Sequence, residues 1–350
     1  MVQNLYYYIL LLCMYLRRVC QTTFGGRYLC SHPRLSFSRM DHFPILLEKK
    51  GRYTKNNMKQ LLFIMNPVAG TKKAGKFLAD IISVFNRADY DTHVYITAHQ
   101  KDATRAVKMF GSQMDLIVCC GGDGTLNETI NGVIQMRLRT PIGYIPAGST
   151  NDFANSLGLS GDVVTAAKQI ATGSAKPYDI GKFGNRYFSY VASFGAFTKT
   201  SYTTPQNIKN ALGHIAYLLE GIQELSKIRK EHLRVETDQF VLEDDYLFGA
   251  ICNSTSLGGI LTLNPDLVDL GDGMFEILLV RAPKNIQELH EFVLALRSQT
   301  YDCGILTFRS ASKMVITANP HMPWTLDGER ADGAEIIHVE NLHQSILLVH

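Results

Sequence analysis

Cysteine is scarce for a chain of 350 residues. There are seven, and their placement rules out a framework. No C-x-x-C pair occurs and no Cys/His spacing suits zinc. Cys13, Cys20 and Cys30 fall in the first 57 residues, and Cys119, Cys120, Cys252 and Cys303 are spread over the rest. Such usage excludes a disulfide scaffold and fits a reducing compartment. Long apolar runs are missing too. Leu5–Leu16 (LYYYILLLCMYL) stops after twelve residues, where a spanning helix needs about 20. It also makes a poor signal peptide, because no positive charge precedes it, Arg17 and Arg18 follow it, and no A-x-A site is evident. A net charge of +3 is too small to announce nucleic acid or an anionic membrane. The eleven histidines form no H-E-x-x-H, since His290-Glu291 lacks the second histidine. Repeats and low-complexity stretches are absent, which removes solenoids and disordered arrays.

What remains is an ordinary globular composition, 46% apolar and 19% charged, in a length that suits two domains. The charge is unevenly placed. Residues 1–57 carry nine Lys/Arg against Asp41 and Glu48, and the remaining chain carries 26 basic and 30 acidic residues. Residues 1–57 read as an extension outside the fold, with an interfacial anchor or a targeting segment as alternatives. Met58 opens MKQLLFIMNP, which reads as a start followed at once by a strand.

From Met58 strands and helices alternate. Strands are expected at Leu61–Met65, Thr92–Thr97, Leu116–Cys120 and Ile142–Ile145. Helices are expected from Lys72 to about Arg87, from Asp102 (which can cap its own helix) to about Phe110, at Leu126–Met136, and from Asn151. This pattern implies an open parallel α/β domain over 58–180 with helices on both faces. Cys119 and Cys120 then face opposite sides of their strand. The character changes near Lys176. Strand-like segments follow at Asp179–Phe183, Arg186–Ala192, His232–Thr237, Tyr246–Asn253, Met274–Val280, Leu306–Ala311 and Lys313–Thr317, with a turn at Gly184-Asn185 and one long amphipathic helix at Gln206–Leu225. That density implies a mostly antiparallel, sandwich-like β domain over 181–334. The final strands, Glu335–Val339 and Ser345–Val349, can return to the first domain.

The strongest chemical signal is Gly121-Gly122-Asp123-Gly124-Thr125-Leu126-Asn127-Glu128, where the apolar strand DLIVCC runs into a helix. Ligands of open α/β sheets bind at the carboxyl ends of strands. Three glycines in four positions leave the backbone bare for close approach to an anion, and the helix start presents free N–H groups. Asp123 cannot itself bind phosphate; it needs a cation, and Mg²⁺ with a nucleotide is the natural choice. A Rossmann fingerprint fails because Asn127 stands where the last glycine belongs. A P-loop fails because Phe77 follows Gly75-Lys76 in place of Ser/Thr. Further on, Asp266, Asp269 and Asp272 share one loop, either as a solvated charge run or as a cation site. Asp327-Gly328 can make a hairpin turn or flank a catalytic acid.

Five separated motifs, in order, carry a resemblance: Asn66-Pro-Val-Ala-Gly70, GGDGTLNE, Gly148-Ser-Thr-Asn-Asp152-Phe-Ala, Asn264-Pro-Asp-Leu-Val-Asp269-Leu-Gly-Asp272-Gly273, and Leu326-Asp-Gly-Glu329. The chain from about Met58 onward resembles the bacterial diacylglycerol kinase-like lipid kinases, whose catalytic core also resembles that of sphingosine and ceramide kinases. By that resemblance Asn66, Pro67, Val68, Ala69, Gly70, Thr97, Gly121, Gly122, Asp123, Gly124, Thr125, Leu126, Asn127 and Ser149 line an ATP site. Asp123, Asp152 and Asp179 organise its Mg²⁺ network. Asp269, Asp272 and the carbonyl of Met274 match a second, structural Mg²⁺ site. Glu329 matches the general base; residues alone do not choose between it and Asp327. Two positions depart from the family pattern: Ser149 stands where threonine is common, and Asn155 where arginine is frequent.

The expected activity is transfer of a phosphoryl group from Mg-ATP to the hydroxyl of a membrane lipid, foremost diacylglycerol. It is placed in a cytoplasmic protein touching the membrane peripherally, with no nucleic acid partner. An NAD kinase-like phosphotransferase and a non-catalytic nucleotide or lipid sensor are the rivals. The identity of the lipid stays open, and so does a homo-oligomer.

Overall fold

The computed structural model describes residues 58–70, 74–149, 151–195, 230–257, 261–263, 265–298, 301 and 303–350. The expected extension 1–57, Lys72 and Lys73, Asn264 and the helix expected at Gln206–Leu225 lie outside them.

In chain order the elements are β1 (Lys59–Met65), α1 (Leu78–Arg87) after a 3₁₀ turn at Ala74–Phe77, β2 (Tyr90–Ile96), α2 (Asp102–Phe110), β3 (Leu116–Gly121), α3 (Asp123–Gln135), β4 (Ile142–Pro146), α4 (Asp152–Ser156) and α5 (Val163–Thr172). There follow β5 (Ala175–Phe183), β6 (Arg186–Phe188), β7 (Val191–Gly195), β8 (Glu231–Glu236), β9 (Val241–Cys252), β10 (Ser256–Leu257), β11 (Leu261–Thr262), β12 (Phe275–Arg281), α6 (Ile286–Arg297), β13 (Leu306–Ala311), β14 (Lys313–Ala318), β15 (Trp324–Leu326), β16 (Glu329–Ala331) and β17 (Ile336–Val349).

β2, β1, β3 and β4 are parallel neighbours, and β17 joins β4 in parallel at Leu348 and Val349. Alternate side chains of these strands enter two cores. Leu62, Ile64, Ile117, Cys119 and Tyr144 meet α2 and α3 through Ala106, Val107, Leu126 and Ile130. Leu61, Phe63, Val118 and Cys120 meet α1 and α5 through Ile81, Phe85, Ala167 and Ile170. Helices thus cover both faces, and the two cysteines point to opposite sides as period-two alternation requires. Each fully buried large apolar side chain contributes about 1.5–3 kcal/mol.

The second half is antiparallel. β12 pairs with β9 and β13, β9 with β7 and β8, and β14 with β8 and β17. β12 is buried along both faces. Phe275, Ile277 and Leu279 fill one core, and Leu278 and Val280 fill the other. The two halves share one sheet, because β17 runs unbroken from β14 to β4. Where two final strands were expected there is one, with a register shift between Leu342 and Ile346 and a left-handed Gln344 (φ 47°). The single strand expected over Arg186–Ala192 is broken at Ser189-Tyr190.

α2 departs from expectation at its start. Asp102 does not cap it: its Oδ2 accepts from the N–H groups of Ala98 and His99, both at 2.9 Å. These two bonds hold the Asp102 carboxyl below the usual carboxylate range. Glu128, from α3, instead accepts from Lys101 N at 2.7 Å and Ala103 N at 3.2 Å. The acid that closes this helix end comes from a neighbouring helix.

Candidate active site

Three loops at the carboxyl ends of β1, β3 and β4 converge. The first is an Asx turn in which Asn66 Oδ1 accepts from Val68 N at 3.1 Å, while Asn66 Nδ2 donates to Thr125 Oγ1 at 3.1 Å. The turn ends at Gly70 (φ 49°), where an added Cβ would lie 2.4 Å from the carbonyl oxygen of Ala147. The second loop presses on the third just as closely. A Cβ on Gly148 would lie 2.6 Å from Gly122 Cα. The glycines are therefore required by backbone contact between loops. Gly122 begins α3 without any side-chain cap, so the helix offers its first N–H groups and positive dipole end to whatever lies before it.

That space is a cavity of about 370 Å³, lined by Asn66, Val68, Ala69, Gly70, Thr97, Ala98, His99, Gln100, Gly122, Gly124, Thr125, Glu128, Gly148 and Glu329. Its size lies in the range of ligand pockets. Of the residues expected to bind nucleotide, Asn66, Val68, Ala69, Gly70, Thr97, Gly122, Gly124 and Thr125 line it. Pro67, Gly121, Asp123, Leu126, Asn127, Ser149, Asp152 and Asp179 do not. Leu126 is buried in the core beneath, and Ser149 is exposed. Asp123 turns away from the cavity: its carboxylate accepts from Asp152 N at 3.2 Å and Phe153 N at 3.4 Å, at the start of α4. Burial raises its pKa above the ordinary range, against the pull of those N–H donors.

Residues far apart in sequence meet here. β15 and β16 form a hairpin whose two-residue turn is Asp327 (φ 48°) and Gly328 (φ 81°), a mirror-image turn suited to that pair. Asp327 is buried. Its Oδ2 accepts from Ser189 N at 2.6 Å and from Asn127 Nδ2 at 2.6 Å; its Oδ1 accepts from Tyr190 N at 3.0 Å and Val191 N at 3.1 Å. Burial pushes it up to about 6 despite these four donors. The Asp327 carboxylate anchors the hairpin to the break between β6 and β7 and to α3. Two residues on, Glu329 projects the other way. Its side chain is 44% exposed, it lines the cavity, and its Oε1 lies 3.5 Å from where a Cβ on Gly124 would be. Glu128, half-buried across the cavity, has its pKa raised by burial and, to a smaller extent, by the charge of Glu329.

The acidic loop lies elsewhere. Asp179 is fully buried and ties this loop to β17: its Oδ2 accepts from Gly273 N at 2.6 Å, and its Oδ1 from Gln344 N at 2.7 Å and His343 Nδ1 at 3.1 Å. Asp269 and Asp272 each use Oδ1 on their own loop, accepting from Gly271 N at 3.0 Å and Met274 N at 2.8 Å. The carbonyl of Met274 accepts from Asn341 Nδ2 at 2.9 Å. Among the described residues no three His, Cys, Asp or Glu side chains converge as a ready-made metal cage. The donors are nonetheless all hard oxygens, and Mg²⁺ commonly binds through one or two carboxylates and keeps its waters. Nearby Glu276 is buried, with an Oε2 that has no hydrogen-bond partner. Burial, and then the charges of Asp272 and Asp269, push it up to about 8. An excess of negative charge around that loop fits a cation.

A family model for the diacylglycerol kinase catalytic domain matches residues 60–183. The chain is 33% identical over 274 residues to a diacylglycerol kinase of Bacillus subtilis, spanning 78% of this chain and 90% of that protein. It is 34% identical over 268 residues to one from Staphylococcus haemolyticus, spanning 76% and 81%. The chain belongs to the diacylglycerol kinase family. A crystal structure of a diacylglycerol kinase from Bacillus anthracis superposes with a TM-score of 0.66 at 25% identity, covering 84% of this chain and 97% of that one. This kinase therefore has the two-part architecture expected of it, a parallel α/β half followed by a mostly antiparallel β half. Family membership implies ATP as a substrate.

Sequence reasoning missed Ala98, His99, Gln100, Glu128 and Gly148 as lining residues of the kinase's cavity. The signal was present: residues 98–100 directly follow the carboxyl end of β2, where such sheets bind ligands.

Proposed function

We propose that the protein transfers the γ-phosphoryl group of ATP to the hydroxyl of diacylglycerol, giving phosphatidic acid. The observation that carries this reading is the placement of Glu329, from the antiparallel half, in the same cavity as Gly122, Gly124 and Thr125 of the glycine-rich turn. The uncapped start of α3 and the bare turns at Gly70 and Gly122 suit a triphosphate, as anions suit helix N-termini. Glu329 is the base: its carboxylate takes the proton of the lipid hydroxyl as that oxygen attacks the γ-phosphorus. The bond from the γ-phosphorus to the β–γ bridging oxygen breaks, and ADP leaves. Asp327 is not the base, because four N–H donors occupy its carboxylate and it faces inward.

Asp123, whose carboxylate is bonded to the start of α4, and Asp152 do not line the cavity and take no part in holding a nucleotide magnesium. Asp269, Asp272 and the Met274 carbonyl would hold a structural magnesium in the acidic loop. Magnesium entering with the nucleotide would supply neutralisation of phosphate charge. Among the described residues no helix is long and apolar enough to cross a membrane. On this reading the protein meets its lipid from the bilayer surface, as a peripheral contact.

The test is turnover of γ-labelled ATP by the purified protein with diacylglycerol in mixed micelles, NAD being offered in parallel. Labelled phosphatidic acid, and no labelled NADP, is expected. Selective phosphorylation of NAD, or ATP binding with no turnover of any lipid, would sink the reading.

A further inference from the structure

Among the described residues that line the cavity none is Lys or Arg, while Glu128 and Glu329 are both acidic. Two carboxylates and a triphosphate repel one another, and an unrestrained Glu329 would turn outward, away from the reacting centre. One guanidinium opposes this. Arg186 is the first residue of β6, directly after the Gly184-Asn185 turn, and it pairs with Phe183 across that hairpin. Its Nη1 donates to the carbonyl oxygen of Arg330 at 2.8 Å, and its Nη2 lies 3.6 Å from Glu329 Oε2. It therefore holds β16 at two adjacent residues, once by backbone and once by carboxylate.

The same short segment grips the hairpin from its other side. The N–H groups of Ser189, Tyr190 and Val191 hold Asp327, while Arg186, three residues before Ser189, holds Glu329 and Arg330. The buried grip sets the height of the hairpin. The exposed grip sets the direction of the Glu329 side chain, which has three rotatable bonds and is otherwise free to sample solvent. As an exposed pair, 45% and 44% accessible, the contact adds little to stability. Its value lies in orientation.

We propose that Arg186 is a positioning residue of the phosphoryl transfer, acting through Glu329 by aiming its carboxylate into the nucleotide cavity. The inference rests on the reading of Glu329 as the base. Among the described residues the guanidinium meets the cavity lining at Glu329 alone, its other bond going to the Arg330 carbonyl outside the cavity, so its loss leaves the described nucleotide-binding backbone intact. The effect falls on kcat and not on the KM for ATP.

The experiment compares full-chain wild type, Arg186→Ala, Arg186→Lys, Glu329→Gln and the double variant in the lipid-phosphorylation assay, with thermal midpoints measured alongside. Arg186→Ala is expected to lower kcat by about 10- to 100-fold, the scale of a misaimed catalytic group, with the KM for ATP and the midpoint nearly unchanged. Arg186→Lys keeps the charge and restores part of kcat, and millimolar guanidinium restores part of it to Arg186→Ala. In the Glu329→Gln background Arg186→Ala costs less than about twofold more, because residues acting as a unit are non-additive. An unchanged kcat would make the contact a plain surface pair, and additive losses would put Arg186 directly on phosphate or lipid; either overturns the inference while leaving the proposed activity standing. A wild type that phosphorylates no lipid defeats the functional reading itself, and the inference falls with it.

Discussion

Asp327 should be the stability keystone of the hairpin that carries Glu329. Replacing it with alanine leaves three consecutive backbone N–H groups and the Asn127 amide without their acceptor in a buried place. Single hydrogen bonds to a charged group are worth about 1.5–3 kcal/mol, and breaking a buried charged network by removing one partner costs about 3–5 kcal/mol in all. The lower half of that range is expected at pH 7, because the native carboxylate is itself costly there. Its carboxyl rises from 3.8 to about 6 on folding, a penalty of about 3 kcal/mol at 1.36 kcal/mol per unit. The sign follows from proton binding: between pH 4 and 6 the folded state holds the proton that the unfolded state has lost. The Asp327 contribution is thus greatest below pH 4 and declines as pH rises through 6. The gap between wild type and Asp327→Ala should be about 2 kcal/mol wider at pH 4 than at pH 7. Urea unfolding read by the single tryptophan, Trp324, suits the question, since that residue is buried on the same hairpin. A loss under about 1 kcal/mol at pH 7, or a gap that narrows on acidification, would refute the reasoning.

Other outcomes follow from the loops. Gly70→Ala places a Cβ 2.4 Å from the Ala147 carbonyl at a left-handed φ; it should cost about 1–2 kcal/mol from backbone strain alone and raise the KM for ATP about tenfold, as titrated in the ATP turnover assay. Asp179→Ala removes the acceptor shared by Gly273, Gln344 and His343; it should lower the unfolding free energy by about 3–5 kcal/mol and open residues 265–274 to limited proteolysis, and resistance equal to wild type would contradict the role given to it.

Much of the parallel half was legible because its strands are continuous apolar runs followed by glycine-rich turns. Leu61–Met65, Leu116–Cys120 and Ile142–Ile145 all lie inside observed strands. The helix α5 was missed although Asp162 caps it, its Oδ1 accepting from Thr165 N at 2.8 Å. Its buried face is made largely of the alanines Ala166 and Ala167, which give a weak hydrophobic stripe. α6 was missed as well. β15 and β16 are three residues each, too short for period two to register, and their existence depends on Asp327 finding donors in Ser189–Val191. At the site, the local half of the cavity could be read from motifs, since glycine spacing is a local property. The partners Glu128 with Lys101, Asn127 with Asp327, and Arg186 with Glu329 join segments far apart in sequence, and no periodicity encodes them. Asp123 shows the same limit: its presence in the turn was plain, yet its side chain faces α4.

The most direct measurement is mass identification of the lipid formed when the full chain meets diacylglycerol vesicles and ATP labelled at the γ-phosphate, run beside Glu329→Gln. The account expects phosphatidic acid bearing the label, and a loss of about 10²- to 10⁴-fold in the variant while ATP binding is kept. Labelled phosphatidic acid formed at an equal rate by Glu329→Gln, or no labelled lipid from the wild type, would contradict it.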